Sequence, residues 1–309
     1  MGHVIPLMKI LLTGSNGLLG QKIVYALRQR PEVQLLATAR GPNRIKIQAG
    51  YEYQVMDIEN PEQVKQVFHR FKPDCVIHAA AMTNVDACEL NPEACRKANI
   101  EATAHLISAS KSYNSHFIFL STDFVFDGTA GPYSEEDVPN PLSIYARSKL
   151  EGEIMVMQSG LDWCIIRTII IYGVTDDAQR SNIVLWVKNS LEQKKTITVI
   201  TDQFRSPTLA EDLADACIQA ALRKAKGIYH VSGGETMSII EMAYRIADFF
   251  GLDKSFIKPV TSAELNHPAK RPLKTGFKIQ KAKHDLGYFP HSFNEGLTIV
   301  ARQLAEKRP

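Results

Sequence analysis

Lys9-Ile10-Leu11-Leu12-Thr13-Gly14-Ser15-Asn16-Gly17-Leu18-Leu19-Gly20 is the stretch on which the fold turns. Its first five residues form a short apolar run of the kind that is buried on both faces of a sheet. The glycines at Gly14, Gly17 and Gly20 allow a tight turn and let the backbone approach a ligand closely. Apolar residues at helical spacing then resume over residues 21–29 and predict a helix. Strand, glycine loop and helix in that order open a βαβ alternation, and the free N–H groups at such a helix start favour a pyrophosphate. Three glycines at this spacing also occur in plain strand-to-helix turns, so the surroundings decide between the two.

Outward from this unit the pattern repeats. Val33–Ala39, 53–56, Cys75–His78, 117–120 and 163–167 are apolar runs that predict further strands. Between them, Asn60-Pro61 opens a helix to Phe71 and Asn91-Pro92 opens another to about Lys111, because Asn caps and Pro is pre-shaped for a first turn. A third helix surrounds residues 145–157. Strands this apolar, alternating with helices, predict a parallel sheet covered on both faces, hence an α/β, doubly wound, Rossmann-like fold. After Tyr172 the rhythm loosens. Helices over 182–193, 209–222, 239–250 and 293–305 and strands at 198–200 and 227–231 are separated by loops that carry Pro and Gly. The expected division is a dinucleotide-binding domain over residues 1–171 and a smaller, mainly substrate-binding subdomain over 172–309, with some elements returning to the core.

A chain of 309 residues builds such a core without staples. A net charge of +3 is too weak to argue for nucleic acid. The longest apolar run, 163–174, is interrupted by Arg167 and too short for a bilayer, so no membrane partner is expected. The start does not resemble a signal peptide, and Pro6 stands where a myristoylated Gly2 would need Ser or Thr. Five scattered cysteines among apolar neighbours suggest buried free thiols in a reducing cytoplasm, with no disulfide frame and no metal-binding spacing. Oligomeric state stays open, a homodimer being one form.

Chemistry enters at three further places. The end of the second strand, Leu35-Leu36-Ala37-Thr38-Ala39-Arg40-Gly41-Pro42-Asn43-Arg44, lacks the acidic residue that holds the ribose 2′-hydroxyl of NAD. Arg40 and Arg44 suit a 2′-phosphate instead, which favours NADP(H) over NAD; the bland alternative is a pair of solvated loop charges. Tyr145-Ala146-Arg147-Ser148-Lys149 sets a phenol and an ammonium four apart on one helix face. A phenol titrates near 10, and a neighbouring ammonium favours its ionised form. Thr122, after the fifth strand, falls at the carboxyl edge of the sheet with a hydroxyl able to donate to a carbonyl oxygen that gains negative charge.

Taken together, the motifs resemble the extended short-chain dehydrogenase/reductases, and within that group the dTDP-4-dehydrorhamnose reductases. The likeness runs nearly the whole length. It rests on the glycine loop, Asp57-Ile58, Ala79-Ala80-Ala81-Met82-Thr83, Asn99 and Ser121-Thr122-Asp123-Phe124-Val125-Phe126-Asp127-Gly128. Tyr145 and Lys149, Arg167-Thr168, Asp202-Gln203-Phe204-Arg205-Ser206-Pro207-Thr208 and Arg271-Pro272 complete it. The resemblance implies reduction of a 4-keto nucleotide sugar by NADPH, dTDP-4-dehydro-L-rhamnose first, with reduction or epimerisation-reduction of another nucleotide sugar as the variant. It implies that Tyr145 protonates the carbonyl oxygen, that Lys149 tunes Tyr145 and holds the ribose, and that Thr122 orients the carbonyl. Gly14, Asn16, Gly17, Leu18, Arg40, Asp57, Ile58, Ala79, Ala80 and Ala81, with Tyr145 and Lys149, would hold the dinucleotide. Thr83, Asp123, Phe124, Asn182 and Arg205 would face the substrate, and Asn99 would support the site from its helix. Asp57 as a helix-leading cap and Asn99 as a satisfied buried amide are the plain alternatives, and His78 suits a packed core.

Three positions depart from the family pattern: Ile170 stands where Trp is common, Arg205 where Gly is usual, and Lys22 where some relatives carry a metal-linked acid. The sequence is also similar to the regulatory beta subunit of methionine adenosyltransferase, which shares the fold and much of the motif set. Such a subunit binds NADP without catalysis, and an intact Tyr/Lys pair does not exclude that role.

Overall fold

The structure, a computed structural model, describes residues 7–177 and 181–306. Gly2 and Pro6 lie outside the described residues. Seven strands form the central sheet: β1 (Met8–Thr13), β2 (Val33–Ala39), β3 (Glu52–Val55), β4 (Cys75–His78), β5 (His116–Thr122), β6 (Trp163–Thr168) and β7 (Gly227–His230). Their order is β7-β6-β5-β4-β1-β2-β3, and every pairing is parallel. The order reverses between β1 and β4, and in open sheets of this kind ligands bind in the crevice outside the carboxyl ends at such a switch point.

The apolar runs feed two cores because side chains alternate across a pleated strand. Ile10, Leu12, Leu35, Ile77, Ile118 and Ile166 pack on one face with the helices Leu18–Leu27 and Ala210–Leu222. Leu11, Leu36, Val76, Phe117, Phe119 and Ile165 pack on the other with the helices Pro61–Phe71 and Ala102–Lys111. Each fully buried side chain of this size contributes about 1.5–3 kcal/mol relative to exposure. The doubly wound fold expected from the sequence is therefore the one observed.

Local signals acted as expected at Asn60, whose side chain accepts from Glu62 N and Gln63 N at the start of Pro61–Phe71. Asn91 likewise caps Pro92–Arg96. The single long helix expected from there to Lys111 is instead interrupted by a π-turn, Lys97–Glu101. Several short elements escaped the sequence, among them the helices Val85–Leu90 and Gln280–Leu286 and the strand Ile257–Val260, which carries Pro259. A third apolar cluster (Tyr172, Val184, Val187, Val199, Ile246, Leu297) forms the centre of the C-terminal part. There Ile197–Ile200 pairs in parallel with Ile257–Val260. Among the described residues no helix is long and apolar enough to cross a membrane.

Candidate active site

A cleft of about 1080 Å³ opens at the carboxyl ends of the central strands, lined by Gly14 beyond β1, Ala79 beyond β4, Thr122 on β5 and Thr168 on β6. Gly14 has φ +74°, and a Cβ there would stand 2.8 Å from Ala80 N. Only glycine lets the loop lie this close to the β4 end. At Gly20 a Cβ would collide with the Gly14 carbonyl, so this glycine is needed for helix-to-loop packing. Asn16 donates to Pro42 O at 2.9 Å and accepts from Arg44 N at 2.9 Å, fastening the glycine loop to the segment after β2.

The helix Leu18–Leu27 begins without a side-chain cap and without an acidic residue in its first turn. Its free N–H groups and positive dipole end face the cleft beside Gly17 and Leu18, which suits a diphosphate. Ser121 Oγ is buried with no hydrogen-bond partner among the described residues, and Ser121 lines the same cleft. A buried hydroxyl of this kind fits a ligand that supplies the partner. Together these features fit a dinucleotide.

Every residue expected at the cofactor lines this cleft: Gly14, Asn16, Gly17, Leu18, Arg40, Asp57, Ile58, Ala79, Ala80, Ala81, Tyr145 and Lys149. Arg40 extends into solvent with its side chain 75% exposed, 3.6 Å from Glu59, which also lines the cleft. Arg44 turns away to Asp177 at 3.2 Å. The Asp57 carboxylate accepts from Glu59 N at 3.0 Å, while the capping of the following helix falls to Asn60.

The helix Ile144–Met157 is held at its start by Ser143, which accepts from Ala146 N, and by Glu89, which accepts from Ile144 N at 2.9 Å. This fixes Tyr145 in the first turn and Lys149 one turn on, both buried. Asn99, carried by the π-turn, grips Met82 through both its backbone groups and donates to Ser148 Oγ at 3.0 Å, tying the β4 exit to this helix. Such turns are frequent at functional sites. His78 sits between Thr13 and Thr103 hydroxyls, and burial pushes its imidazole down to about 3, as a neutral core residue.

Burial raises the Tyr145 phenol above its ordinary value; a hydrogen bond with Thr122 opposes this and the Asp123 charge adds to it. Burial brings the Lys149 ammonium down to about 8, with Glu153 pulling the other way. Its Nζ lies 4.0 Å from the centre of the Phe119 ring. Thr122 Oγ1 donates to Asp123 Oδ1 at 3.1 Å and accepts from Phe124 N at 3.2 Å.

Of the residues expected at the substrate, Thr83, Asp123, Phe124 and Asn182 line the cleft, joined by Ile170, which stands where relatives commonly carry Trp, by Met82 of the Ala79–Thr83 motif, and by Ser181, which the sequence did not single out. Asn182 is largely committed to capping Ile183–Glu192 and to Gly173 O at 2.7 Å. Ile170 holds φ +28°, a costly conformation for a β-branched residue, on the cleft wall. Arg205 does not line the cleft. Its guanidinium is 1% exposed, donating to Phe204 O, Pro272 O and Leu273 O at 2.7, 2.6 and 3.1 Å, beside Asp123 at 3.5 Å. This ties its loop to the core and keeps the guanidinium off the cleft, where the resemblance had put it. Lys22 pairs with Glu211 at 2.9 Å.

Methionine adenosyltransferase 2 subunit beta of Bos taurus is 32% identical over 264 residues, spanning 84% of this chain and 77% of that protein. A dTDP-4-dehydrorhamnose reductase from Clostridium acetobutylicum superposes with a TM-score of 0.84 at 30% identity, covering 96% of this chain and all of that one. The dTDP-4-dehydrorhamnose reductase of Bacillus anthracis, solved in complex with NADP, gives 0.83 at 27% identity over 96% of this chain and 99% of that one. The RmlD substrate binding domain pattern matches residues 8–306. Since that match begins on the first strand of the sheet and ends in the last helix, the chain belongs to the RmlD substrate binding domain family.

Proposed function

We propose that this protein is an NADP(H)-dependent oxidoreductase that reduces the keto group of a nucleotide-linked sugar, with dTDP-4-dehydro-L-rhamnose the first substrate to test. One observation carries the reading: Thr122, Tyr145 and Lys149 share a cleft with the uncapped helix start behind the glycine loop. The likeness to two dTDP-4-dehydrorhamnose reductases, one in complex with NADP, supports it.

In this proposal residues 1–171 mainly hold the cofactor and 172–309 mainly the sugar nucleotide. The glycine loop and helix start hold the pyrophosphate, Arg40 the 2′-phosphate, Asp57 and Ile58 the adenine, and Ala79, Ala80 and Ala81 the flank of the dinucleotide. Bound NADPH supplies the hydride. Tyr145 gives its phenolic proton to the carbonyl oxygen, and Lys149 stabilises the phenolate left behind. Thr83 and Phe124 wall the sugar, and Ile170 closes the cleft where a larger aromatic is common in relatives. Arg205 serves as an anchor of the adjoining loop. Five buried free thiols suit a reducing compartment such as the cytoplasm.

Following NADPH absorbance with purified protein and a panel of dTDP- and UDP-linked 4-keto sugars tests the reading. Turnover with at least one is expected; none across the panel overturns it. The identity with methionine adenosyltransferase 2 subunit beta favours a second reading, a non-catalytic NADP-binding regulatory subunit. NADPH binding without turnover, combined with altered activity of an added methionine adenosyltransferase catalytic subunit, would select it.

A further inference from the structure

The strands β2 and β3 leave the central sheet side by side. Ala39 stands opposite Val55 in the parallel register, and Met56 N donates to Ala39 O at 2.9 Å just beyond it. Chain from both exits therefore meets at one corner of the cleft, Arg40 from the first and Asp57, Ile58 and Glu59 from the second. The turn after β3 is tightly held. Asp57 N donates to Gln63 Oε1 at 2.8 Å, Glu59 N donates to Asp57 Oδ1 at 3.0 Å, and Asn60 N donates to Asp57 O at 3.0 Å. Glu59 is thus carried on a fixed backbone, and its Oε1 lies 3.6 Å from Arg40 Nη1. Arg44, the other arginine after β2, is drawn to Asp177 and does not line the cleft. The corner that suits a 2′-phosphate therefore holds the Arg40 guanidinium with a carboxylate already against it. The β2 end has no acid of its own, and the neighbouring strand delivers one.

We propose that Glu59 is a positioning residue that holds Arg40 in the cofactor-free cleft and so narrows the preference for NADPH over NADH. This rests on the NADP(H) reading of the cleft. A 2′-phosphate engages Arg40 fully only by drawing its guanidinium away from Glu59, since both anions seek the same donors. NADH brings a 2′-hydroxyl, which asks for no cation and leaves the pair standing. The carboxylate thus weakens the binding of one cofactor and spares the other. Both side chains reach solvent, so the exchange needs only side-chain rotation, and the backbone of the turn stays as it is. An exposed pair of this length is weak, which makes Glu59 a tuner of the ratio and leaves Arg40 the principal contact.

Glu59→Gln keeps the side-chain length and the bond from residue 59 N to Asp57 while removing the charge that holds Arg40. Dissociation constants of NADPH and NADH are measured by nucleotide fluorescence on the full chain, for the parent, Glu59→Gln, Arg40→Ala and the double variant. Glu59→Gln is expected to tighten NADPH by about two- to fivefold, the worth of an exposed ion pair, without tightening NADH. Adenosine 2′,5′-bisphosphate, which has the phosphate but no nicotinamide, should gain by the same factor in a calorimetric titration. In the Arg40→Ala background the gain should vanish, because no guanidinium is left to release. Tm should be unchanged in Glu59→Gln. An unaltered NADPH-to-NADH ratio in that variant overturns the proposal, as does a gain that persists in full without Arg40, which would make Glu59 a general repeller of anions. Equal shifts for both cofactors with a lower Tm would also overturn it and leave Glu59 a structural residue of the turn. A parent that binds neither cofactor would defeat the NADP(H) reading itself and the proposal with it, a result distinct from every comparison among the variants.

Discussion

Tyr145 and Lys149 are buried at opposite costs. Burial keeps the phenol protonated, which suits a proton donor, and disfavours the Lys149 ammonium, which an acid–base site nevertheless requires. Tyr145→Phe removes the donated proton and little else. Turnover should fall by at least about 100-fold, the lower end for a general acid, with nearly unchanged NADPH binding by fluorescence titration. For Lys149 the folded value of about 8 lies below the ordinary 10.5, so between these pH values the unfolded chain binds more protons than the folded one. Stability therefore rises with pH across that window, and at pH 7 the buried ammonium costs on the order of 3 kcal/mol. Lys149→Met should raise Tm by several degrees at pH 7, with the gain shrinking between pH 8 and 10.5, while turnover collapses. The Tyr–Lys spacing and the three glycines were legible in the sequence because local geometry fixes them. Ser121 and the partners of Asp123 were not, since Thr275 and Arg205 arrive from loops far along the chain.

Among the elements, the segment that carries Arg205 illustrates how a residue's direction escapes a one-dimensional pattern. The family resemblance put Arg205 at the substrate, yet Phe204–Arg205 pairs with Met237–Ser238 and turns the guanidinium inward to three carbonyls. Arg205→Lys keeps the charge but cannot spread donors across that fork. It should cost at least about 2 kcal/mol of stability through the lost charge-assisted hydrogen bonds, seen as a lower denaturation midpoint, with NADPH binding retained. A raised sugar-nucleotide KM at unchanged stability would return Arg205 to the ligand. Elements with strong caps or long apolar periods were legible; those missed were short or broken by proline. Val85–Leu90 has only six residues, with Asn84 and Asp86 as its signals, and Ile257–Val260 carries a proline that argues against a strand. The π-turn at Lys97–Glu101 left no trace in composition; the contacts it accompanies, from Asn99 to Met82 and Ser148, are tertiary.

At the scale of the whole molecule, the switch in strand order between β1 and β4 brings the glycine loop, Arg40 and the Tyr145 helix to one cleft, and ligand binding there couples to global stability. NADPH at 100 times its Kd should add about 2.7 kcal/mol, several degrees in Tm. Arg40→Ala should shrink that shift for NADPH and leave the NADH shift nearly intact, because only the former has a 2′-phosphate to lose. Equal losses would assign Arg40 to the shared pyrophosphate or to the fold. The doubly wound sheet followed from the apolar runs alone, whereas the substrate side depends on loops whose packing no local pattern specifies. All five cysteines are buried, with Cys75 on β4, Cys164 on β6 and Cys217 on the helix that covers them. Desolvation lifts the Cys164 thiol to about 12 and those of Cys75 and Cys217 above their ordinary values, so the nucleophilic thiolate is suppressed as well as hidden. A thiol-reactive dye will therefore wait for the sheet to open, and its labelling kinetics become a stopwatch for native-state breathing. NADPH should slow that stopwatch in proportion to the occupancy of the cleft.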